Sequence, residues 1–113
     1  MPSLQDNLRL DVAEEGGRVT VSFPPNTTLS ETNAEAFARE TASAAARTSP
    51  PRLCIDLSNV EMLTSVILGK IIALNARVRS ANGELSLINP TPDVYGVFTL
   101  TRRGKILDIS PPA

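Results

Sequence analysis

One stretch constrains the fold of this chain more than any other. A short apolar run, Leu53-Cys-Ile-Asp-Leu57, is followed by six residues of loop and then by a long helical pattern that ends at Gly83. Within that pattern Ile67, Ile71, Leu74, Val78 and Ala81 recur at spacings of four, three, four and three, which places them on one side of an α-helix. The run before it reads as a buried strand. Asn82-Gly83 is expected to close the helix, with the glycine taking the left-handed conformation that helix ends favour.

Side-chain chemistry predicts where the helix begins. With Thr64 as N-cap, Leu63 and Leu68 stand at the two positions of a hydrophobic staple. With Ser65 as cap the pair would be Thr64 and Gly69, which cannot pack. Thr64 is therefore expected to cap, and Ser65 to sit on the first turn beside unpaired backbone N–H groups. Those groups and the helix dipole favour an anion, so an exposed hydroxyl there can carry a phosphate.

A chain of 113 residues suits one domain with a core that needs neither disulfides nor metal. A net charge of −1 gives no reason to expect binding to nucleic acid or to an anionic membrane surface. With no Trp, one Tyr and three Phe, the core must be built mainly from Leu, Ile, Val and Ala. The single Cys cannot form an internal disulfide, which fits a reducing compartment. No stretch resembles a signal peptide or reaches membrane-spanning length, and a soluble cytoplasmic protein is expected.

Along the chain, residues 1–6 read as a loose arm. Leu8, Leu10 and Val12 alternate with polar residues, as do Val19, Val21 and Phe23, and Glu14-Glu-Gly-Gly17 lies between them. This is a hairpin signal, with Pro24-Pro25 ending the second strand. A polar loop leads to a helix opened by Thr32 and Glu35 as a capping box, with Ser30 and Asn33 as competing caps. Ala34, Phe37, Ala38, Thr41 and Ala45 form its inner face, and Thr48-Ser-Pro-Pro51 stops it. After the central unit come a strand over 84–89 and a helix capped by Thr91, with Pro92 at its first position and Asp93 favouring the dipole. Val94, Val97, Phe98 and Thr101 line one side of that helix, and Arg102-Arg-Gly104 ends it. Ile106, Leu107 and Ile109 supply a last strand.

The expected order is β-β-α-β-α-β-α-β. Helices between successive strands imply right-handed crossovers and a mostly parallel sheet. The opening hairpin makes the sheet mixed, and the helices are expected mainly on one face. The whole chain is expected to form one α/β domain with a core of about residues 8–109.

The sequence also excludes chemistry. With no histidine, Ser–His–Asp and Cys–His arrangements and His-ligated metal sites are impossible. There is no CxxC pair and no phosphate-cradling glycine motif. Cys54 falls on the buried strand and reads as a small core residue rather than a reactive thiol. Asp56, Glu61, Asp93 and Asp108 show no pairing that marks a catalytic dyad. No enzyme activity, metal or cofactor is expected.

These residues together resemble the STAS domain, the fold of bacterial anti-sigma factor antagonists and of the cytoplasmic tails of sulfate transporters. The family's site pattern is an apolar strand, a short loop, and Asp-Ser-Ser/Ala-Gly-Leu-Gly opening a helix. Leu63-Thr-Ser-Val-Ile-Leu-Gly69 matches it here, with Ser65 at the serine that antagonists carry phosphorylated. Asn82-Gly-Glu-Leu-Ser-Leu, Pro92-Asp-Val-Tyr-Gly-Val-Phe and Lys105-Ile-Leu extend the likeness over roughly Leu8 to Ile109. Three departures stand out: Thr64 replaces the family's Asp, Val66 and Ile67 replace small residues, and Ser30 replaces an acid common before the first helix.

The resemblance implies a binding switch without catalysis. An unphosphorylated antagonist docks on an anti-sigma factor, often itself a serine kinase, and frees the sigma factor. Phosphate at Ser65, or alternatively at Thr64, would reverse this. The partner surface implied comprises Ser30, Met62, Thr64, Ser65, Val66, Ile67 and Lys70, with Val66 and Ile67 also able simply to pack. Two other readings are carried: a constitutive adaptor subunit of a transport or signalling complex, and a small-ligand or nucleotide-binding module that uses the helix N-terminus.

Overall fold

The computed structural model describes residues 8–100 and 107–112. The expected loose arm over 1–6, the face residue Thr101, the helix end at Arg102–Gly104, and Lys105 and Ile106 lie outside the described residues. A five-stranded mixed sheet runs in the order β1-β2-β4-β6-β7, from strands β1 (Asp11–Glu15), β2 (Arg18–Ser22), β4 (Arg52–Asp56), β6 (Glu84–Ile88) and β7 (Asp108–Ile109). β1 and β2 are antiparallel, and the β2·β4, β4·β6 and β6·β7 pairs are parallel. Helix α1 (Ala34–Ala45) lies between β2 and β4, α2 (Ser65–Ser80) between β4 and β6, and α3 (Pro92–Leu100) between β6 and β7.

Register explains why one face of the sheet is the core. Val19 stands beside Leu53, which stands beside Leu85, and Val21, Ile55 and Leu87 form the next row. All six are buried and join one cluster with Phe37, Ile67, Ile71, Leu74, Val78, Val94 and Phe98 of the helices. The alternate positions Arg18, Arg52 and Glu84 are exposed and Thr20, Ser22 and Ser86 half-buried, as period-two alternation requires when only one face is covered. The helices therefore pack on one face, as expected.

Three local expectations are corrected. The first strand runs through Glu14 and Glu15, and the turn is only Gly16-Gly17, with φ of 60° and 78°. Both turn residues take positive φ, the two-residue geometry whose twist matches a hairpin, so the acidic pair is left free to extend the ladder. Leu8 and Leu10 pack half-buried on the core before β1 begins. At the end of α2 it is Asn82, with φ of 61°, that takes the left-handed conformation. The N–H groups of Asn82 and Gly83 donate to the carbonyls of Arg79 (3.0 Å) and Val78 (2.9 Å), a Schellman closure.

The third correction is the largest. The polar loop before α1 and the loop between β4 and α2 each contain a strand, β3 (Thr27–Leu29) and β5 (Val60–Leu63), and the two pair in parallel as a separate two-stranded sheet. The order becomes β-β-β-α-β-β-α-β-α-β.

Candidate partner-docking site

The β3·β5 ladder builds the site, because it carries the chain into α1 and into α2 side by side. Leu29 pairs with Leu63, and the Thr64 N–H donates to the Leu29 carbonyl at 3.0 Å. Ser30 and Thr64 are thereby neighbours although far apart in sequence. Leu29, Val60 and Leu63 are buried, whereas Thr28 and Met62, paired on the same ladder, face out. Asn59 anchors the base: its Nδ2 donates to the Phe23 carbonyl at 2.8 Å, and its own carbonyl accepts the Thr27 N–H at 3.1 Å.

The expected Thr32–Glu35 capping box is replaced by one between Ser30 and Asn33. A 3-10 turn over Glu31–Asn33 precedes α1, and the Ser30 N–H donates to Asn33 Oδ1 at 2.9 Å. Asn33 Nδ2 donates to the Thr28 carbonyl at 2.8 Å, so one side chain ties β3 to the entry of α1. The Ser30 and Thr32 hydroxyls bond each other at 3.0 Å, and Ser30 is half-buried. Asn33 was visible in the sequence only as a competing cap; nothing there signalled its bridge to β3.

Thr64 occupies the N-cap position of α2, with extended backbone (φ −92°, ψ 169°), and its carbonyl accepts the Leu68 N–H at 3.1 Å. Leu63 and Leu68, the expected staple, are both buried. The expected side-chain cap is absent: Thr64 Oγ1 is buried with no hydrogen-bond partner. The backbone of Thr64 is already held by the β3·β5 ladder, so the helix start does not depend on the hydroxyl. Because a buried hydroxyl without a partner is a net cost, Thr64→Val is expected to stabilise the domain by about 1 kcal/mol. Loss of a side-chain cap would instead cost about 1 kcal/mol, so urea unfolding decides between the two by sign.

Ser65 is exposed on the first turn of α2, where backbone N–H groups have no partner a turn earlier. Beside it are Met62, 57 % exposed, and Val66, 40 % exposed, the exposed large hydrophobic residues among the described residues. Ile67, fully buried in the core cluster, offers no surface; it supports the patch from beneath. Lys70 Nζ bonds Glu35 Oε1 at 3.0 Å and ties α2 to α1 at the edge of the site. The structure thus brings Ser30, Met62, Thr64, Ser65, Val66 and Lys70 around the start of α2. Among the described residues no group of three or more potential metal ligands comes together.

Residues 10–108 match the family model described as Mlab, STAS domain. The chain belongs to the STAS domain family. Its fold superimposes with a TM-score of 0.79 on an anti-sigma factor antagonist from Mycobacterium paratuberculosis, at 27 % identity over 97 % of this chain and 91 % of that one. An anti-sigma factor antagonist (STAS) domain protein of Planctomyces limnophilus shares the fold with a TM-score of 0.77, at 22 % identity over 88 % of this chain and 87 % of that one. No curated protein sequence registers as a match. This STAS domain thus resembles anti-sigma factor antagonists, members of a family that is generally non-enzymatic, and no helix among the described residues is long and apolar enough to cross a membrane.

Away from the site, the thiol of this STAS domain is sheltered. Cys54 is buried on β4, and burial pushes its pKa up, with the Arg18 charge pulling it partly back and Asp56 and Asp108 adding to the rise. The reactive thiolate is correspondingly scarce. The native protein is expected to resist a colorimetric thiol reagent at neutral pH and to react stoichiometrically once unfolded; rapid native labelling would contradict the burial.

Proposed function

We propose that this STAS domain is a partner switch of the anti-sigma factor antagonist type, regulated by phosphorylation of Ser65. The observation that carries the reading is the placement of an exposed hydroxyl at the start of α2 beside the exposed apolar pair Met62 and Val66. In this reading the two exposed apolar side chains and the hydroxyl form the centre of the docking surface, with Ser30, Thr64 and Lys70 at its margins. The partner is an anti-sigma factor that is also a serine kinase, and the setting is the cytoplasm. A phosphate on Ser65 brings about −1.5 to −2 charges. The N-terminus of α2 accommodates that charge locally, whereas a partner surface closing over the serine loses contact through desolvation and repulsion. Docking and release then follow from one modification, with no catalytic group in this chain.

The test is site-mapped intact mass of the protein from its native cells, in growth and under stress. Phosphate on Ser65 in one condition supports the switch. Phosphate on Thr64 would move the modified position one residue upstream. Protein unmodified in every condition would sink the switch and leave the second reading, a constitutive adaptor subunit of a larger assembly. Thr64 favours that second reading, because it stands where the family carries an acid and brings no carboxylate to a kinase.

A further inference from the structure

Asn26, Asn82 and Asn89 hold left-handed backbone, and the residue after each decides its chemistry. Asn89 precedes Pro90, which has no N–H. Asn26 precedes Thr27, whose branched side chain crowds its own nitrogen and whose N–H is bound to the Asn59 carbonyl. Asn82 precedes Gly83 in the single Asn-Gly pair of the sequence, and it is exposed. A side-chain amide followed by so unhindered a backbone nitrogen is able to close into a succinimide ring. The deprotonated Gly83 nitrogen bonds to Cγ of Asn82, the Cγ–Nδ2 bond breaks, and ammonia leaves with the proton. Water then opens the ring at either carbonyl and gives aspartate or isoaspartate, with no oxidant, reductant or cofactor.

The fold holds this reaction back. Attack needs the Gly83 nitrogen without its proton, and that N–H donates to the Val78 carbonyl at 2.9 Å. The Asn82 N–H donates to the Arg79 carbonyl at 3.0 Å, so both residues are pinned to the last turn of α2. Gly83 has no space to swing, because a Cβ there would already collide with the Pro51 carbonyl. That carbonyl is itself fixed by the Glu84 N–H at 2.8 Å. Ring closure therefore waits for the end of α2 to open, and helix ends open locally at far lower cost than the whole domain. The isoaspartyl product does not fit back. Its main chain runs through Cβ and Cγ and carries one more atom before the Gly83 nitrogen, at the point where the glycine meets Pro51.

We propose that Asn82 is a modification site gated by the closure of α2. Molecules in which the junction of α2 with β6 opens are converted at this position, and those that become isoaspartyl cannot rebuild the closure. The modification is thus a one-way record of opening at this junction. It lies at the opposite end of α2 from Ser65 and depends neither on phosphorylation nor on a partner.

Peptide mapping by mass spectrometry tests this on the full chain, incubated warm at mildly alkaline pH in native buffer and in guanidinium chloride. Conversion at position 82 is expected in both, slower in native buffer by roughly tenfold or more, since only opened molecules react. Ala76→Gly loosens α2 at an exposed interior position that touches neither Asn82 nor Gly83. It is expected to speed native conversion about threefold and to leave both the circular dichroism and the rate in denaturant unchanged. The isoaspartyl fraction, once separated, is expected to melt below the unconverted protein. Equal rates in native buffer and denaturant would overturn the gate, and no conversion in denaturant would overturn the site. Ala76→Gly converting no faster than the wild type in native buffer would show that opening of this turn does not control the reaction. Equal melting of the two fractions would overturn the one-way step.

Discussion

Gly83→Ala is expected to cost about 3 kcal/mol, the upper end of what overpacking costs, and to lower the Tm by roughly 10 °C or more. A Cβ at Gly83 would collide with the carbonyl oxygen of Pro51 and lie 3.0 Å from both Pro51 Cδ and Val78 Cγ1. That carbonyl cannot retreat freely, because it accepts the Glu84 N–H at 2.8 Å, the contact beside the first rung of the β4·β6 ladder, Arg52 with Glu84. Nor can Gly83 move alone, since its N–H closes α2 on the Val78 carbonyl. The glycine is needed for close approach, while Asn82 supplies the positive φ. Gly69→Ala is the control: a Cβ there meets nothing within 4 Å, so replacing an interior helix glycine should stabilise by about 0.5–1 kcal/mol. Urea titrations of both variants check the pair. A Gly83→Ala cost below roughly 0.5 kcal/mol, the range of an ordinary surface change, would mean that the junction opens easily.

On the proposed switch, Ser65→Asp is expected to weaken binding to an anti-sigma factor partner by 30-fold or more, about 2 kcal/mol, the level of a hot-spot residue. Stability should be unchanged or slightly higher. The side chain is exposed, and a carboxylate in the first turn of a helix is favoured by about 0.3–1 kcal/mol. Fold and function then move in opposite directions, which separates a docking effect from unfolding. Ser65→Ala, which adds no charge, should bind like the wild type. Calorimetric titration of the three forms against the purified partner reads the difference, and equal affinity for the aspartate form would refute the switch.

Much of this was legible in the chain. The four-three-four-three spacing from Ile67 to Ala81 reports α2 because burial on one side demands that period, although Ala81 itself falls at the cap and is exposed. The alternation around Val19 and Val21 reports a half-buried strand for the same reason. Thr91 caps α3 as read: its Oγ1 accepts the Val94 N–H at 3.2 Å and its carbonyl the Tyr95 N–H at 2.8 Å. Thr64 could be placed at the start of α2 by the staple, but not the state of its hydroxyl, since hydrogen bonding depends on what surrounds the atom.

The strands β3 and β5 were not legible, and with them went the geometry of the site. Runs as short as Thr27–Leu29 and Val60–Leu63 carry too few residues to show a period, and a parallel pair is stabilised only by its distant partner. That pairing puts Ser30 beside Thr64 and turns Met62 outward. Exposure likewise separated Val66 from Ile67, two adjacent β-branched residues that composition treats alike. By itself the sequence determined the elements whose burial is periodic, the family, and the serine at the start of α2. Only the tertiary structure decided which residues surround that serine and which face water, because long-range pairing and burial are properties of the folded chain and not of any local run.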